Sequence, residues 1–129
     1  MNDSITIGFD AKRIVRNNTG LGSYGRTLVR DLSYLPGSLR LRLYAPDKGR
    51  DDLRRQIEGL PRISLCYPKE SVFPFDKALW RDHGIVKDLT KDKVQVYHGL
   101  SGELPRGIRK SGIKSVVTIH DLIFLRHPE

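Results

Sequence analysis

The order of residue patterns along this chain predicts an α/β fold, a doubly wound parallel sheet with helices on both faces. Three observations carry that expectation. Short β-branched or alternating apolar runs recur, stretches of helical spacing fall between them, and Gly or Pro punctuates most junctions. Strands that alternate with helices join most simply as parallel neighbours, because each connecting helix packs back onto the sheet.

Each element follows from its local pattern. Ser4 to Phe9 (SITIGF) is short, β-branched and apolar, and reads as a buried strand. The polar stretch DAKRIVRNNT then reads as a loop. From Leu21, apolar residues at Leu21, Tyr24, Leu28, Leu32 and Leu35 share one helical face, and Pro36-Gly37 ends that helix. Leu39 to Tyr44 (LRLRLY) alternates cleanly, as expected of a strand with one wet face. Asp51 to Gly59 suits a short helix closed by glycine, and Arg62 to Tyr67 a third strand. Phe75 to Leu89 is expected to be a second long helix, and Val94 to Tyr97 a fourth strand. A Gly- and Pro-containing loop runs from His98 to Gly112, and Ser115 to Ile119 (SVVTI) is a fifth strand.

The 129 residues suffice for one domain with a core, and 38% hydrophobic with 29% charged residues is globular in type. A net charge of +8 favours anionic partners without choosing among nucleic acid, phosphorylated small molecules and an acidic membrane surface. A single cysteine, Cys66, excludes a disulfide framework within the chain and fits a reducing cytoplasm. No signal-peptide pattern opens the sequence, and no apolar run is long enough to span a bilayer. No spacing of Ser, His and Asp or of Cys and His supports a nucleophilic triad. His98, His120, Asp121 and His127 match no metal-ligand spacing, so no metal is expected.

Residues 19 to 25, TGLGSYG, contain Gly20-x-Gly22-x-x-Gly25, the spacing of a dinucleotide-binding loop. Ten residues separate Phe9 from Gly20, whereas the fingerprint places its first glycine at the strand end, so a nicotinamide dinucleotide site fits poorly. Two other readings stand: a turn into the helix, or a phosphate held at the helix N-terminus, where free N–H groups and the helix dipole favour an anion. His98 and His120 follow the fourth and fifth strands, at the carboxyl ends where open α/β sheets bind ligands. Each can donate to a sugar hydroxyl or phosphate, or serve a structural role. Asp121 beside His120 adds a second polar group.

Taken together, IGFDAKRIVRNNTGLGSYGRTLVRDL, LWRDHGIVKDL, VYHGLSGELP and SVVTIHDLIFLRHPE resemble the N-terminal half of family 4 retaining glycosyltransferases. The nearest likeness is to bacterial mannosyltransferase-like members of polysaccharide pathways. The resemblance covers essentially the whole chain and rests on the order and spacing of the motifs. It implies a GT-B enzyme with two Rossmann-like domains facing across a cleft, of which residues 1–129 supply the acceptor side. It further implies that this domain is incomplete, that the C-terminal donor-binding domain is absent, and that the fragment alone is inactive. The implied full-length reaction transfers a mannose-like sugar from a nucleotide diphosphate to a glycan or lipid-linked acceptor with retention. The nucleotide sugar is a substrate, and no cofactor is implied.

By the same resemblance, Gly20 and Gly22 approach the donor diphosphate, and His120 and Asp121 are the catalytic pair beside the transferred sugar. His98, Ser101 and Glu103 face the acceptor, with Asp10 and Arg13 bordering the same cleft. The implied localisation is cytoplasmic, peripheral on the inner face of the cell membrane. The basic stretches Arg40-Arg42, Arg54-Arg55 and RGIRKSGIK fit contact with anionic lipid or a plain solvated surface. Two alternatives are a sugar-nucleotide epimerase of the same architecture and a non-enzymatic basic binding module. Nucleic acid is not the expected partner, because the aromatics do not interleave with the basic residues on a common surface.

Overall fold

A computed structural model describes residues 4–68 and 80–119, apart from the side chains of residues 82 and 83. Its strands are β1 (Ile5–Asp10), β2 (Leu39–Tyr44), β3 (Ile63–Cys66), β4 (Val96–Gly99) and β5 (Lys114–Val117). Its α-helices are α1 (Lys12–Arg16), α2 (Gly20–Ser33), α3 (Asp51–Arg54), α4 (Ile85–Lys91) and α5 (Ile108–Ser111), and a π-helical turn, Trp80–Gly84, leads into α4. The five strands form one all-parallel sheet in the order β3-β2-β1-β4-β5. The expected α/β doubly wound architecture is therefore present.

Strand register sorts the side chains onto two faces, because successive residues of a strand alternate. Phe9 lies beside Leu43 on one side and His98 on the other. That face carries Phe9, Leu41 and Leu43, packed with Ile14 and Val15 of α1, Val29 of α2 and Leu100. The opposite face carries Tyr44 and Tyr97, packed with Trp80 of the π-turn, Ile85 and Leu89 of α4 and Ile108 of α5. Leu41, Leu43 and Leu89 are fully buried, each contributing about 1.5–3 kcal/mol of transfer free energy.

The loop expected from His98 to Gly112 holds the end of β4 and the whole of α5, and three further local expectations are corrected. The stretch read as a loop after β1 contains α1, whose Ile14 and Val15 are buried in the first core. The second, Asp51 to Gly59, is regular helix only through Arg54, after which hydrogen-bonded turns run to Gly59. The third is β2, whose basic face is not simply wet. Arg42 donates to the Tyr44 hydroxyl at 3.3 Å and pairs at 3.4 Å with Asp92, just past α4, while Tyr44 itself is buried. The first five residues of the expected helix from Phe75 lie outside the described residues.

The strand order also fixes where a ligand can sit. From β1 the chain winds through β2 to β3 on one side, then returns to β4 and β5 on the other. The reversal falls between β1 and β4, and crevices of open α/β sheets form at the carboxyl ends of such a pair. Asp10 ends β1 and the His98–Gly99 pair ends β4.

Candidate functional site

Asp10 is 3% exposed, and burying a carboxylate is costly unless it is paired. Arg81 supplies the pairing. It leaves the π-helical turn and reaches Asp10 with two donors, Nε to Oδ1 at 3.1 Å and Nη2 to Oδ2. The Lys12 N–H adds a third bond to Oδ1 at 3.2 Å. The remaining Nη1 of Arg81 reaches Glu103 Oε2 at 3.5 Å. Burial alone disfavours the Arg81 charge, but the hydrogen bond and field of Asp10, with Glu103, more than offset it and leave the guanidinium above its ordinary pKa. β1, the π-turn and the loop after β4 thus converge on one guanidinium. A π-turn inside a helix often marks a functional position, because the extra residue redirects a side chain.

The loop after β4 is tightly folded. A Cβ on Gly99 would meet the Glu103 carbonyl oxygen at 2.1 Å, and Gly102 sits at a φ of 79°. Ser101 Oγ lies in this loop, buried and with no hydrogen-bond partner. A buried hydroxyl in that condition costs free energy unless a ligand or water completes it. Asp10, Glu103 and Ser101 are therefore held at the switch point, and Arg81 is the residue that ties the two carboxylates together.

His98 is placed differently. Its ring lies 5.6 Å from that of Phe9, on the sheet face opposite Tyr97 and Asp10. Its Nε2 bonds the Thr118 hydroxyl at 2.5 Å. Burial lowers the imidazole below its ordinary value, which favours the neutral ring. His98 thus ties the end of β4 to the chain leaving β5. Arg13 is exposed on α1, and its carbonyl accepts from Asn17 N–H. His120 and Asp121 lie outside the described residues, as does His127. Among the described residues no group of His, Cys, Asp and Glu is arranged to hold a metal ion.

The glycine loop is a helix start rather than a turn before one. Gly20 and Gly22 both lie within α2. The Asn17 carboxamide caps this end, accepting from Thr19 N–H at 2.9 Å, Thr19 Oγ1 at 2.6 Å and Gly22 N–H at 3.2 Å. A Cβ on Gly22 would lie 1.9 Å from the Asn17 carbonyl oxygen, so Gly22 is glycine because α1 and α2 meet there. Buried Arg26 locks the same junction, donating to the carbonyls of Ile14 and Asn17 at 2.8 Å each. Gly20 faces open space, with nothing beyond its chain neighbours and its own helix backbone within 4 Å of where its Cβ would stand. Of the two glycines, only Gly20 leaves room for an anion at the helix start.

The sequence reading named Asp10, Ser101 and Glu103, which the structure places at this edge, and did not name Arg81 or Arg26. Arg81 sits 71 residues from Asp10 in a stretch that reads as ordinary helix. Among the described residues, no helix is long and apolar enough to cross a membrane. No family model, no curated protein and no solved structure matches this chain.

Proposed function

We propose that this chain is the acceptor side of a retaining glycosyltransferase, holding a glycan or lipid-linked acceptor while a mannose-like sugar leaves a nucleotide diphosphate. The observation that carries the reading is the Asp10–Arg81–Glu103 array, with the unpartnered Ser101 hydroxyl in the same loop as Glu103, at the carboxyl edge between β1 and β4. Sugar hydroxyls both donate and accept. Exposed Glu103 can accept, Arg81, fixed by buried Asp10, can donate, and a hydroxyl such as that of Ser101 can do either. The array has a formal charge of −1, which suits a neutral polyol better than a diphosphate. The diphosphate belongs instead at Gly20, at the positive end of the α2 dipole.

In this reading the acceptor oxygen takes the place of the diphosphate oxygen at the anomeric carbon with the same configuration. The acceptor proton leaves with the diphosphate. The chain's own contribution is orientation of the acceptor hydroxyl, the term that converts an encounter into a near-attack geometry. His120 and Asp121 hold the donor sugar, and a second domain across the cleft binds the nucleotide. The reading places the chain in the bacterial cytoplasm, at the inner face of the cell membrane.

The test is a transfer assay on the polypeptide that its gene encodes, with a nucleotide diphosphate sugar and a mannose-terminated acceptor. The expected product is a glycosylated acceptor of unchanged anomeric configuration, and Ser101→Ala lowers its formation about tenfold or more, as loss of a hydrogen bond at a reacting centre does. An altered free nucleotide sugar with no glycosylated acceptor would replace this reading with an epimerase.

A further inference from the structure

A second concave site lies away from the carboxyl edge. α4 and α5 pack side by side on the face of Tyr44 and Tyr97, and a groove of about 520 Å³ runs between them. Lys87 and Lys91 of α4 and Lys110 of α5 line it, with Val86 and Gly107. Its two hydroxyls are already engaged, Thr90 Oγ1 donating to the Val86 carbonyl and Ser111 Oγ to that of Ile108. The ligand-facing chemistry is therefore three ammonium groups on aliphatic stems above an apolar floor.

Charge is segregated around this groove. The acids of this segment turn to the sheet side. Asp88 accepts from Trp80 Nε1 at 2.8 Å, and Asp92 accepts from the Tyr44 hydroxyl at 2.7 Å and pairs with Arg42. Among the described residues no carboxylate lines the groove. Among the described residues the ion pairs are all made by arginines: Arg16, Arg42, Arg50, Arg54 and Arg81. The structure thus neutralises Arg42 and Arg54 of the basic stretches, and among the described residues the exposed groove lysines have no acidic partner.

We propose that the α4–α5 groove is a docking surface for an anionic lipid membrane, with Lys87, Lys91 and Lys110 contacting headgroup phosphates. Lysine stems can lie along the apolar floor while their ammonium groups reach the headgroup plane. A polybasic face of this kind binds anionic bilayers, weakly for each lysine and additively. Nucleic acid fits less well, because among the described residues no aromatic lines the groove to stack on a base and no arginine lines it to fork onto a phosphate. The proposal does not depend on the sugar-transfer reading.

The test is co-sedimentation of the 129-residue chain with phosphatidylcholine vesicles with and without phosphatidylglycerol, at low and raised salt. The chain is expected to pellet only with the anionic vesicles and to be released by salt. The triple variant Lys87→Gln, Lys91→Gln, Lys110→Gln is expected to lose partitioning by about a hundredfold. A triple variant of equal charge loss elsewhere, Arg40→Gln, Lys48→Gln, Arg55→Gln, is expected to keep most of it. Circular dichroism confirms that both variants fold. Equal loss in the two variants, no binding to anionic vesicles, or displacement of the chain from vesicles by random-sequence DNA at equal phosphate would each overturn the proposal.

Discussion

At the scale of single residues, Asp10 and Arg81 are bound to each other's fate. The Arg81 side chain is 20% exposed and that of Asp10 4%, so neither charge has much water to fall back on. Asp10→Ala leaves a mostly buried guanidinium with only the solvent-exposed Glu103 carboxylate as partner, and is expected to cost about 3–5 kcal/mol in urea unfolding. The double variant Asp10→Leu, Arg81→Met is expected to recover most of that loss, since removing both charges removes the penalty. If the single variant unfolds at the same urea concentration as the parent, the pair is a surface contact and the site loses its frame. This residue scale was only partly legible in the sequence. Asp10 and Glu103 were named only through the family resemblance. Nothing local could show that Arg81 joins them, because that contact depends on how the π-turn is set against β1.

The elements show a different mixture. β2 was legible to its end residues, because LRLRLY alternates without interruption and the period fixes both the strand and its faces. α1 was not, because five residues give too little periodicity to distinguish a helix from a polar loop, and its buried residues, Ile14 and Val15, are adjacent. The glycines of α2 were legible as a phosphate-type spacing but not as packing. Gly22 belongs to the α1–α2 junction and Gly20 to the open helix start. Gly22→Ala is expected to destabilise the fold by about 2 kcal/mol or more, because the methyl meets backbone that cannot swing away. Gly20→Ala is expected to be neutral or slightly stabilising, by up to about 1 kcal/mol, yet to weaken binding of a nucleotide diphosphate. Thermal melts of the two variants beside a nucleotide titration separate packing from binding. Equal destabilisation by both changes would assign the whole loop to packing.

For the whole molecule, the parallel sheet was legible because strand and helix patterns alternate, and the observed strand order marks the β1–β4 edge as the place where sheets of this kind bind ligands. The surface was less legible. Counting basic residues gives +8, but the fold pairs several arginines with acids and leaves lysines to dominate the outer face of α4 and α5. The two surfaces are consequently unlike. The carboxyl edge carries the Asp10–Arg81–Glu103 array, and the outer face of α4 and α5 carries ammonium groups.

The measurement that bears most directly on the central claim is an NMR titration of the ¹⁵N-labelled chain with a mannose oligosaccharide. The account predicts amide shifts gathered at residues 10–12, 81 and 99–104, and their loss in Ser101→Ala with the fold unchanged. Shifts absent from that edge, or centred instead on Lys87, Lys91 and Lys110, would contradict it.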